Sequence, residues 1–196
     1  MKAFDQETFE NILSSKGVKI ADYVQKRDAE DEDLILRPLE VNDHTKGYLE
    51  LIFDDVETAD NNERERVFEE YLSLQDTCPG TYYTIVVEDL NRNKIIASGT
   101  LIVEQKFIHE IALRGRIENM IVDQEHRRRK IGSVVLGLLT FLAEKLGCYK
   151  TTLNCTDDVA LFCEKMKYMH EAGQNFMLCH VTPTVINPDH ENTSRL

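Results

Sequence analysis

A run of four cations, Arg127, Arg128, Arg129 and Lys130, lies between a predicted strand and a predicted amphipathic helix. We expect these cations to lie in the first turn of that helix, where the dipole disfavours positive charge by roughly 0.3 to 1 kcal/mol each. A helix start that tolerates this charge indicates a bound anion. Backbone N–H groups of the turn would hold a phosphate, and Gly132 would let the backbone approach it closely. The alternatives are a solvated basic cluster and a nuclear localisation patch.

The charge is unevenly distributed along the 196 residues. The formal net charge is -12, yet residues 1–76 hold 21 acidic and 9 basic side chains, whereas residues 77–196 hold 14 of each. This distribution excludes a broad basic surface for nucleic acid or for an anionic membrane. It leaves room for a local phosphate site in the neutral part of the chain, where the cation run lies.

Several features bear on the compartment and on metal binding. No apolar signal segment follows Met1, and the longest apolar stretch, residues 131–143, is shorter than the roughly 18 residues that a membrane span needs. The five cysteines form an odd set without a CxxC pair, and the six histidines are scattered. We therefore expect a cytoplasmic protein with reduced thiols, no membrane span and no metal.

The order of the predicted elements indicates one domain between two polar ends. Residues 1–33 form an acidic arm, residues 34–181 the domain, and residues 182–196 a disordered tail. Helices occur singly between strands, which is typical of an α/β or α+β sheet protein with covered faces. The predicted strands are 34–39, a hairpin of 82–87 and 95–103, then 115–122, 149–155 and 175–181, and the predicted helices are one capped at Asn42–Asp43, then 61–74, 131–146 and 159–166.

Several segments together resemble one protein family. Residues 127–132 resemble the coenzyme A pyrophosphate loop of the GNAT acyltransferases, whose pattern is Gln/Arg-x-x-Gly-x-Gly/Ala, with Lys130 in place of the middle glycine. Within that superfamily, five stretches resemble the glucosamine-6-phosphate N-acetyltransferases in order and spacing: Leu36–Leu39, Tyr83–Asp89, Lys106–His109, Arg114–Glu118 and Cys148–Lys150.

The resemblance implies a fold and an acyl donor site. The fold is the GNAT fold, in which a central mixed sheet with helices on both faces splays open at its fourth strand and acetyl-CoA lies in the split. The backbone after the fourth strand's Glu-Asp pair would bind the pantetheine and polarise the thioester carbonyl. In this chain that backbone belongs to Met120, Ile121 and Val122, with Met120 as a catalytic group. The pyrophosphate would contact Arg127, Arg128, Arg129, Lys130, Ile131 and Gly132.

The resemblance also implies an acceptor site and a homodimer. Lysine suits a phosphate as a point charge. The residues expected around the sugar phosphate and its amine are Lys106, Phe107, Ile108, His109, Glu118, Asn119, Tyr149, Lys150 and His180.

Four positions depart from the family pattern close to the predicted chemistry. Asn119 and Asn154 replace acidic residues, so they can hydrogen-bond an amine but cannot take its proton. Cys163 replaces a tyrosine that stabilises or protonates the leaving thiolate, and His180 replaces an arginine. Asn154 and Cys163 remain candidate catalytic residues, because a thiol can in principle protonate a thiolate of similar pKa.

The predicted activity is acetyl transfer from acetyl-CoA to the amine of glucosamine 6-phosphate, by direct attack in a ternary complex. The departures leave two alternatives open. One is a weakened or silent paralogue that binds CoA or an active homologue, and the other is an acetyltransferase for a different amine, such as a lysine side chain.

Overall fold

The computed structural model describes residue 20 and residues 34–53, 61–107, 112–173, 177 and 179. The predicted arm over 1–33 and the predicted tail over 182–196 lie outside these residues, apart from Ile20. The strands are β1 (Leu34–Pro38), β2 (Tyr82–Asp89), β3 (Lys94–Gln105), β4 (Leu113–Val122) and β5 (Cys148–Leu153). The α-helices from residue 34 onward are α1 (Tyr48–Ile52), α2 (Asn61–Asp76), α3 (Ile131–Lys145) and α4 (Asp157–Lys165), with 3-10 helices at Val41–Lys46 and Gln124–His126.

The five strands form one sheet in the order β1-β2-β3-β4-β5. Neighbours from β1 to β4 are antiparallel, and β2 and β3 make the predicted hairpin. β5 lies parallel to β4, and α3 is the crossover that a parallel connection requires. This mixed sheet with helices on both faces confirms the predicted fold class.

α3 covers one face of the sheet because its apolar residues recur at helical spacing. Ile131, Val135 and Leu139 are buried in one cluster with Ile96 and Ile117 of the strands. No helix in the described ranges, α3 included, is long and apolar enough to cross a membrane. On the opposite face, α1 and α2 pack on β2 and β3 through a second cluster of Leu39, Tyr48, Leu49, Phe68, Leu72, Val86 and Ile95.

A buried cluster of ion pairs joins β1, β2 and the first 3-10 helix. Arg37 donates hydrogen bonds of 2.8 and 2.6 Å to Glu88 Oε2, and 2.8 and 2.6 Å to the two oxygens of Asp43. Lys46 donates to Glu88 Oε1 over 2.6 Å. Burial alone would raise the pKa of Glu88, but the hydrogen bonds from Lys46 and Arg37 outweigh it and hold this pKa below its usual range.

Two predicted elements differ from the structure. Asn42 and Asp43 do not cap α1 but lie inside the 3-10 helix, whose N-cap is Glu40. The reason is that Asp43 is drawn into the buried ion pairs while it accepts a 2.8 Å hydrogen bond from the Glu40 N–H. Of the strand predicted over 175–181, Met177 and Cys179 are described and are not in a strand, and the other residues lie outside the described ranges.

Candidate active site

The sheet opens beside the second half of β4. β5 pairs with β4 only from Leu113 to Ile117, so residues 118–122 have β3 on one side and no described strand on the other. Strand backbone that lacks a neighbour presents unpaired N–H and C=O groups along its edge. The three residues predicted to bind the acyl donor through their backbone lie on this open half: Met120, Ile121 and Val122.

A β-bulge bends β4 where the sheet opens. Ser98 faces Ile121 and Thr100 faces Glu118, so β4 carries one more residue than β3 across this step. Asn119 lies at the bulge with a φ of 54°, in the left-handed region that asparagine tolerates better than most residues. Bulges of this kind re-aim the strand and occur often at active sites.

Gly99 lies opposite the bulge and is covered by a side chain from β4. A Cβ at Gly99 would lie 2.8 Å from Leu139 Cδ1 and 2.9 Å from Met120 Sδ. The side chain of Met120 is therefore packed towards Gly99 and α3. Only the backbone of Met120 is left to serve a ligand at the open edge.

The cation run lies in a loop before α3, not in the first helical turn as predicted. α3 begins at Ile131, with Lys130 as its N-cap. Arg128 and Lys130 have φ values of 64° and 66°, and these two left-handed residues break the helical path. The charged side chains thereby stay out of the first turn, where the dipole would disfavour them. The N–H groups of that turn have no intrahelical partner.

The four cations of this loop are not equivalent. Arg127, Arg128 and Lys130 are exposed, whereas Arg129 is only 6% exposed. Arg127 Nε also donates a hydrogen bond of 3.1 Å to the carbonyl of Val122, which ties the loop to the end of β4. Three of the four predicted cations therefore face solvent at the start of α3.

Asp123, directly after β4, holds the chain that leads into this loop. Its carboxylate accepts hydrogen bonds from Lys94 Nζ at 2.7 Å and from the Glu125 N–H at 3.1 Å, and Oδ1 lies 2.9 Å from Nδ1 of the buried His126. Burial alone would raise the pKa of Asp123, but Lys94 and His126 outweigh it and lower this pKa. These contacts fix where the loop begins relative to the sheet.

The first turn of α3, the end of β4 and α4 converge at Gly132. A Cβ at Gly132 would lie 3.6 Å from Val122 Cγ2 and 3.7 Å from Phe162 Cζ, which are ordinary contacts. Packing within the protein therefore does not require a glycine here. N–H donors at the positive end of a helix dipole, next to three exposed cations, are the groups that bind a phosphate ester. The residues present thus fit the pyrophosphate of a CoA thioester.

A polar face of the sheet lies next to the opening. Paired residues of adjacent strands point to the same side, and this register brings together Glu104, Arg114, Arg116, Glu118, Lys150 and Thr152, which we call the polar face. Arg116 Nε lies 3.2 Å from Glu118 Oε1 and 3.8 Å from Glu104 Oε1. Arg114 donates a 3.0 Å hydrogen bond to Thr152 Oγ1. The face offers cations for a phosphate and a carboxylate, Glu118, one residue before the bulge.

The structure places the predicted acceptor residues unequally. Lys106 Nζ lies 2.6 Å from Glu104, which connects it to the polar face, and the Phe107 side chain is 93% exposed. Lys150 Nζ bonds Glu171 at 2.9 and 3.2 Å and lies 5.8 Å from the ring centroid of Tyr149. The remaining predicted contacts, Ile108, His109 and His180, lie outside the described residues.

The candidate catalytic residues after β5 differ in exposure. Asn154 is exposed in the connection between β5 and α4, whereas Cys163 is buried on α4. Burial, followed by contact with the Cys155 thiol, raises the pKa of Cys163 to about 11.

In the described ranges, no three His, Cys, Asp or Glu side chains are placed to hold a metal ion.

Sequence reasoning missed Arg116, Asp123 and His126. The signal for Arg116 was present, because Arg114, Arg116 and Glu118 alternate along one predicted strand and so share a face. Asp123 and His126 stood beside the cation run, but the contact of Asp123 with Lys94 joins residues 29 positions apart. No local pattern reports a contact of that range.

Comparisons with known proteins agree with this architecture. The profile of the Acetyltransferase (GNAT) family matches residues 45–168, more than half of the chain. A probable glucosamine 6-phosphate N-acetyltransferase of Drosophila melanogaster is 33% identical over 140 residues, which are 71% of this chain and 63% of that protein. Glucosamine 6-phosphate N-acetyltransferase 1 of Dictyostelium discoideum is 33% identical over 74% of this chain and 90% of its own length.

A solved structure supports the same assignment. The crystal structure of glucosamine-6-phosphate N-acetyltransferase from Arabidopsis thaliana superposes with a TM-score of 0.64 at 30% identity, over 75% of this chain and 99% of that one. Fold and site thus define a GNAT acetyltransferase, a class that uses acetyl-CoA as its acyl donor. Within that class, the chain belongs to the family of the glucosamine 6-phosphate N-acetyltransferases.

The left-handed arginine of the loop gives a first testable prediction. Replacing Arg128 by glycine should raise the free energy of unfolding by up to about 1 kcal/mol, because the relief of a left-handed side chain exceeds the entropic cost of glycine. Arg127→Gly is the matched control, since Arg127 has a φ of -65° and donates to Val122. It should lower the free energy of unfolding in the same urea titration. Equal destabilisation by both substitutions would contradict the described loop conformation.

Proposed function

We propose that this protein transfers the acetyl group of acetyl-CoA to the amine of glucosamine 6-phosphate and releases N-acetylglucosamine 6-phosphate. The observation that carries the proposal is the polar face beside the open half of β4. It places cations that suit a phosphate next to a strand edge that suits a thioester. The activity named for the relatives of this chain supports the same substrate pair.

The donor half of the site consists of backbone and loop. Bound acetyl-CoA supplies the acetyl group as a thioester. The first turn of α3, with the exposed Arg127, Arg128 and Lys130, holds the pyrophosphate, and the open edge of β4 hydrogen-bonds the pantetheine. Backbone N–H groups fixed at the bulge are preorganised donors for charge that develops on the carbonyl oxygen.

In the acceptor half of the site, the phosphate of the substrate replaces carboxylates as the ion-pair partner of lysine side chains. Lys106 and Lys150 already face carboxylates, Glu104 and Glu171. Partly exposed pairs of this kind are worth only about 0 to 1 kcal/mol, so a phosphate can displace the carboxylates. Arg114 and Arg116 add fixed positive charge to the same face, and the amine then lies towards Glu118 and Asn119.

Few side chains in this site can transfer a proton. Asn119 and Asn154 cannot accept a proton. Glu118 has a carboxylate, which lies 3.2 Å from Arg116 and can accept a proton from the attacking amine. With its pKa raised to about 11, Cys163 is a weaker acid than a free thiol of pKa about 8.5. We therefore propose that Cys163 does not donate a proton. The CoA thiolate then leaves without being protonated by a side chain of α4. A missing acid typically costs about 10²- to 10⁴-fold in rate.

The proposal includes an assembly and a compartment. A homodimer is supported by apolar side chains at the surface near α4, since Leu161 is 68% and Met169 is 84% exposed. A cytoplasmic location is supported by the free cysteines of the described chain.

Ligand protection separates this acceptor from others. Saturating glucosamine 6-phosphate should raise the melting temperature of the CoA-bound protein, because a ligand that binds the native state stabilises it. Glucosamine without its phosphate is the matched control and should give a much smaller shift, since it lacks the group that the cations of the polar face would bind. Equal shifts for both sugars, or none for either, would refute the proposed acceptor.

A further inference from the structure

A buried histidine lies directly before the loop of four cations. His126 is 5% exposed, and its Nδ1 lies 2.9 Å from Asp123 Oδ1. An ionised carboxylate can only accept a hydrogen bond, so Nδ1 carries the hydrogen and donates it. On the other side of the ring, Nε2 lies 4.0 Å from Oδ2 of the buried Asp89. The ring therefore lies between a carboxylate at the end of β2 and a carboxylate directly after β4.

Both carboxylates are held by residues of the hairpin that β2 and β3 form. Arg92 donates to Asp89 through its backbone N–H, at 3.1 Å, and through Nη1, at 2.6 Å. Lys94 Nζ donates to Asp123 Oδ2 at 2.7 Å. The Asp123 N–H donates to the carbonyl of Ile96 at 2.8 Å. The histidine thus connects this hairpin with the start of the cation loop.

The cation loop is short, and a buried side chain fixes each of its ends. Four residues, 127–130, separate His126 from Ile131, which is 1% exposed at the start of α3. Ile131 is held by apolar packing in the cluster beneath α3, whereas His126 is held by its hydrogen bond to Asp123. In so short a span, a shift of either end moves the cations and the N–H groups between them. Binding groups need to lie within about 0.5 Å of their productive positions.

We propose that His126 is a positioning residue for the pyrophosphate of acetyl-CoA. This inference rests on the proposed donor site and adds to it a residue that acts through the loop. The hydrogen bond from Nδ1 to Asp123 keeps the exposed cations of the loop beside the first turn of α3. Without that bond the loop keeps its charges but loses the arrangement in which they act together on one pyrophosphate. The pantetheine of the donor binds along the edge of β4 and does not depend on this arrangement.

Two amide substitutions separate the hydrogen bond from the rest of the ring. The side-chain nitrogen of asparagine is bonded to Cγ, as Nδ1 of histidine is, so His126→Asn can still donate to Asp123. Glutamine carries its nitrogen one carbon further out, as Nε2 is, so His126→Gln loses this donor and keeps a polar amide. His126→Gln should bind acetyl-CoA about 10-fold more weakly than the wild-type protein, which is the usual worth of one hydrogen bond. His126→Asn should bind it nearly as tightly as the wild-type protein, and isothermal titration measures both affinities.

A donor without a pyrophosphate distinguishes positioning from a general defect. S-acetylpantetheine has the thioester and the pantetheine of acetyl-CoA but no pyrophosphate, and NMR signals of the backbone amides of β4 report even its weak binding. The wild-type protein and both variants should bind S-acetylpantetheine alike. A damaged fold would weaken both donors together. Circular dichroism shows whether each variant is folded at the temperature of the titration.

Two surface variants repeat the test without a change in the buried ring. Lys94, whose side chain is 43% exposed, holds the other oxygen of Asp123, so Lys94→Met should also weaken acetyl-CoA binding. Arg92, whose side chain is 47% exposed, is the matched control for the lost charge. Arg92→Met releases Asp89, which lies beyond hydrogen-bond distance of the ring, and should weaken binding less.

Three results would overturn the proposal. In the first, His126→Gln and Lys94→Met bind acetyl-CoA as tightly as the wild-type protein. In the second, each variant loses as much affinity as its control, His126→Asn or Arg92→Met. In the third, binding of S-acetylpantetheine weakens in parallel with that of acetyl-CoA. A wild-type protein that binds neither donor would refute the donor site itself, and this inference with it, which the wild-type titration shows separately.

Discussion

Gly132→Asp should weaken the binding of acetyl-CoA by about 100-fold, which corresponds to about 2.7 kcal/mol. The new carboxylate would stand in the first turn of α3, among the N–H groups and cations that fit the pyrophosphate. Two like charges about 4 Å apart repel by about 4 kcal/mol at an effective dielectric constant of 20, and solvent in this half-exposed loop reduces that value. Isothermal titration with acetyl-CoA measures the change directly.

The fold itself should not suffer from this substitution. An acidic residue in the first turn of a helix is favourable by about 0.3 to 1 kcal/mol, so the variant should melt no lower than the wild-type protein. Gly132→Ala is the control, because its Cβ would make only ordinary contacts with Val122 and Phe162. It adds a methyl group but no charge, so it should weaken binding far less than the aspartate does. If aspartate and alanine weaken binding equally, or if neither does, the pyrophosphate does not bind at this helix end.

Arg37→Met should lower the free energy of unfolding by about 3 to 5 kcal/mol, because it leaves buried carboxylates without their partner. Asp43 has 1% and Glu88 has 4% of its side chain exposed, and Arg37 bridges both. Lys46 still reaches Glu88, whereas Asp43 keeps the 2.8 Å hydrogen bond from the Glu40 N–H and, of the two cations, only Lys46 at 4.0 Å. Urea unfolding followed by circular dichroism gives the difference, provided that the m-value stays constant.

A surface arginine supplies the matched control for Arg37. Arg66 pairs with Glu63 at 2.6 Å and Glu70 at 3.4 Å on the exposed side of α2. Exposed ion pairs contribute little to stability, so Arg66→Met should change the free energy of unfolding far less than Arg37→Met does. Comparable losses for Arg37→Met and Arg66→Met would show that the buried cluster does not stabilise the fold.

Low pH should destabilise the protein through the same cluster of buried ion pairs. The pKa of Glu88 is lower in the folded protein than in the unfolded chain. Its contribution is therefore complete above the ordinary carboxylate range and is lost as the pH falls through the lowered value. In Arg37→Met this acid-dependent loss should be smaller, because one of the two cations that lower the pKa is gone.

The sequence sufficed for those elements in which one local pattern decides the structure. Two β-rich runs around a polar turn predict the hairpin of β2 and β3, and a sustained apolar spacing predicts α3. The family resemblance implied a mixed sheet that opens at its fourth strand. Each of these signals lies within one element or is carried by a matched motif.

Other features depend on contacts that no local pattern reports. The partnership of Arg37 with Glu88 joins residues 51 positions apart. Arg128 and Lys130 adopt left-handed conformations that charged side chains seldom adopt, so helical propensity placed them wrongly in α3.

The central claim is acetyl transfer to glucosamine 6-phosphate, and product formation tests it most directly. Purified protein is mixed with acetyl-CoA and glucosamine 6-phosphate, and both the free CoA and the acetylated sugar phosphate are counted by mass spectrometry. The account predicts one acetylated sugar phosphate for each CoA released, at a rate well above that without an acceptor. Release of CoA that glucosamine 6-phosphate does not accelerate, with no acetylated sugar phosphate formed, would contradict it.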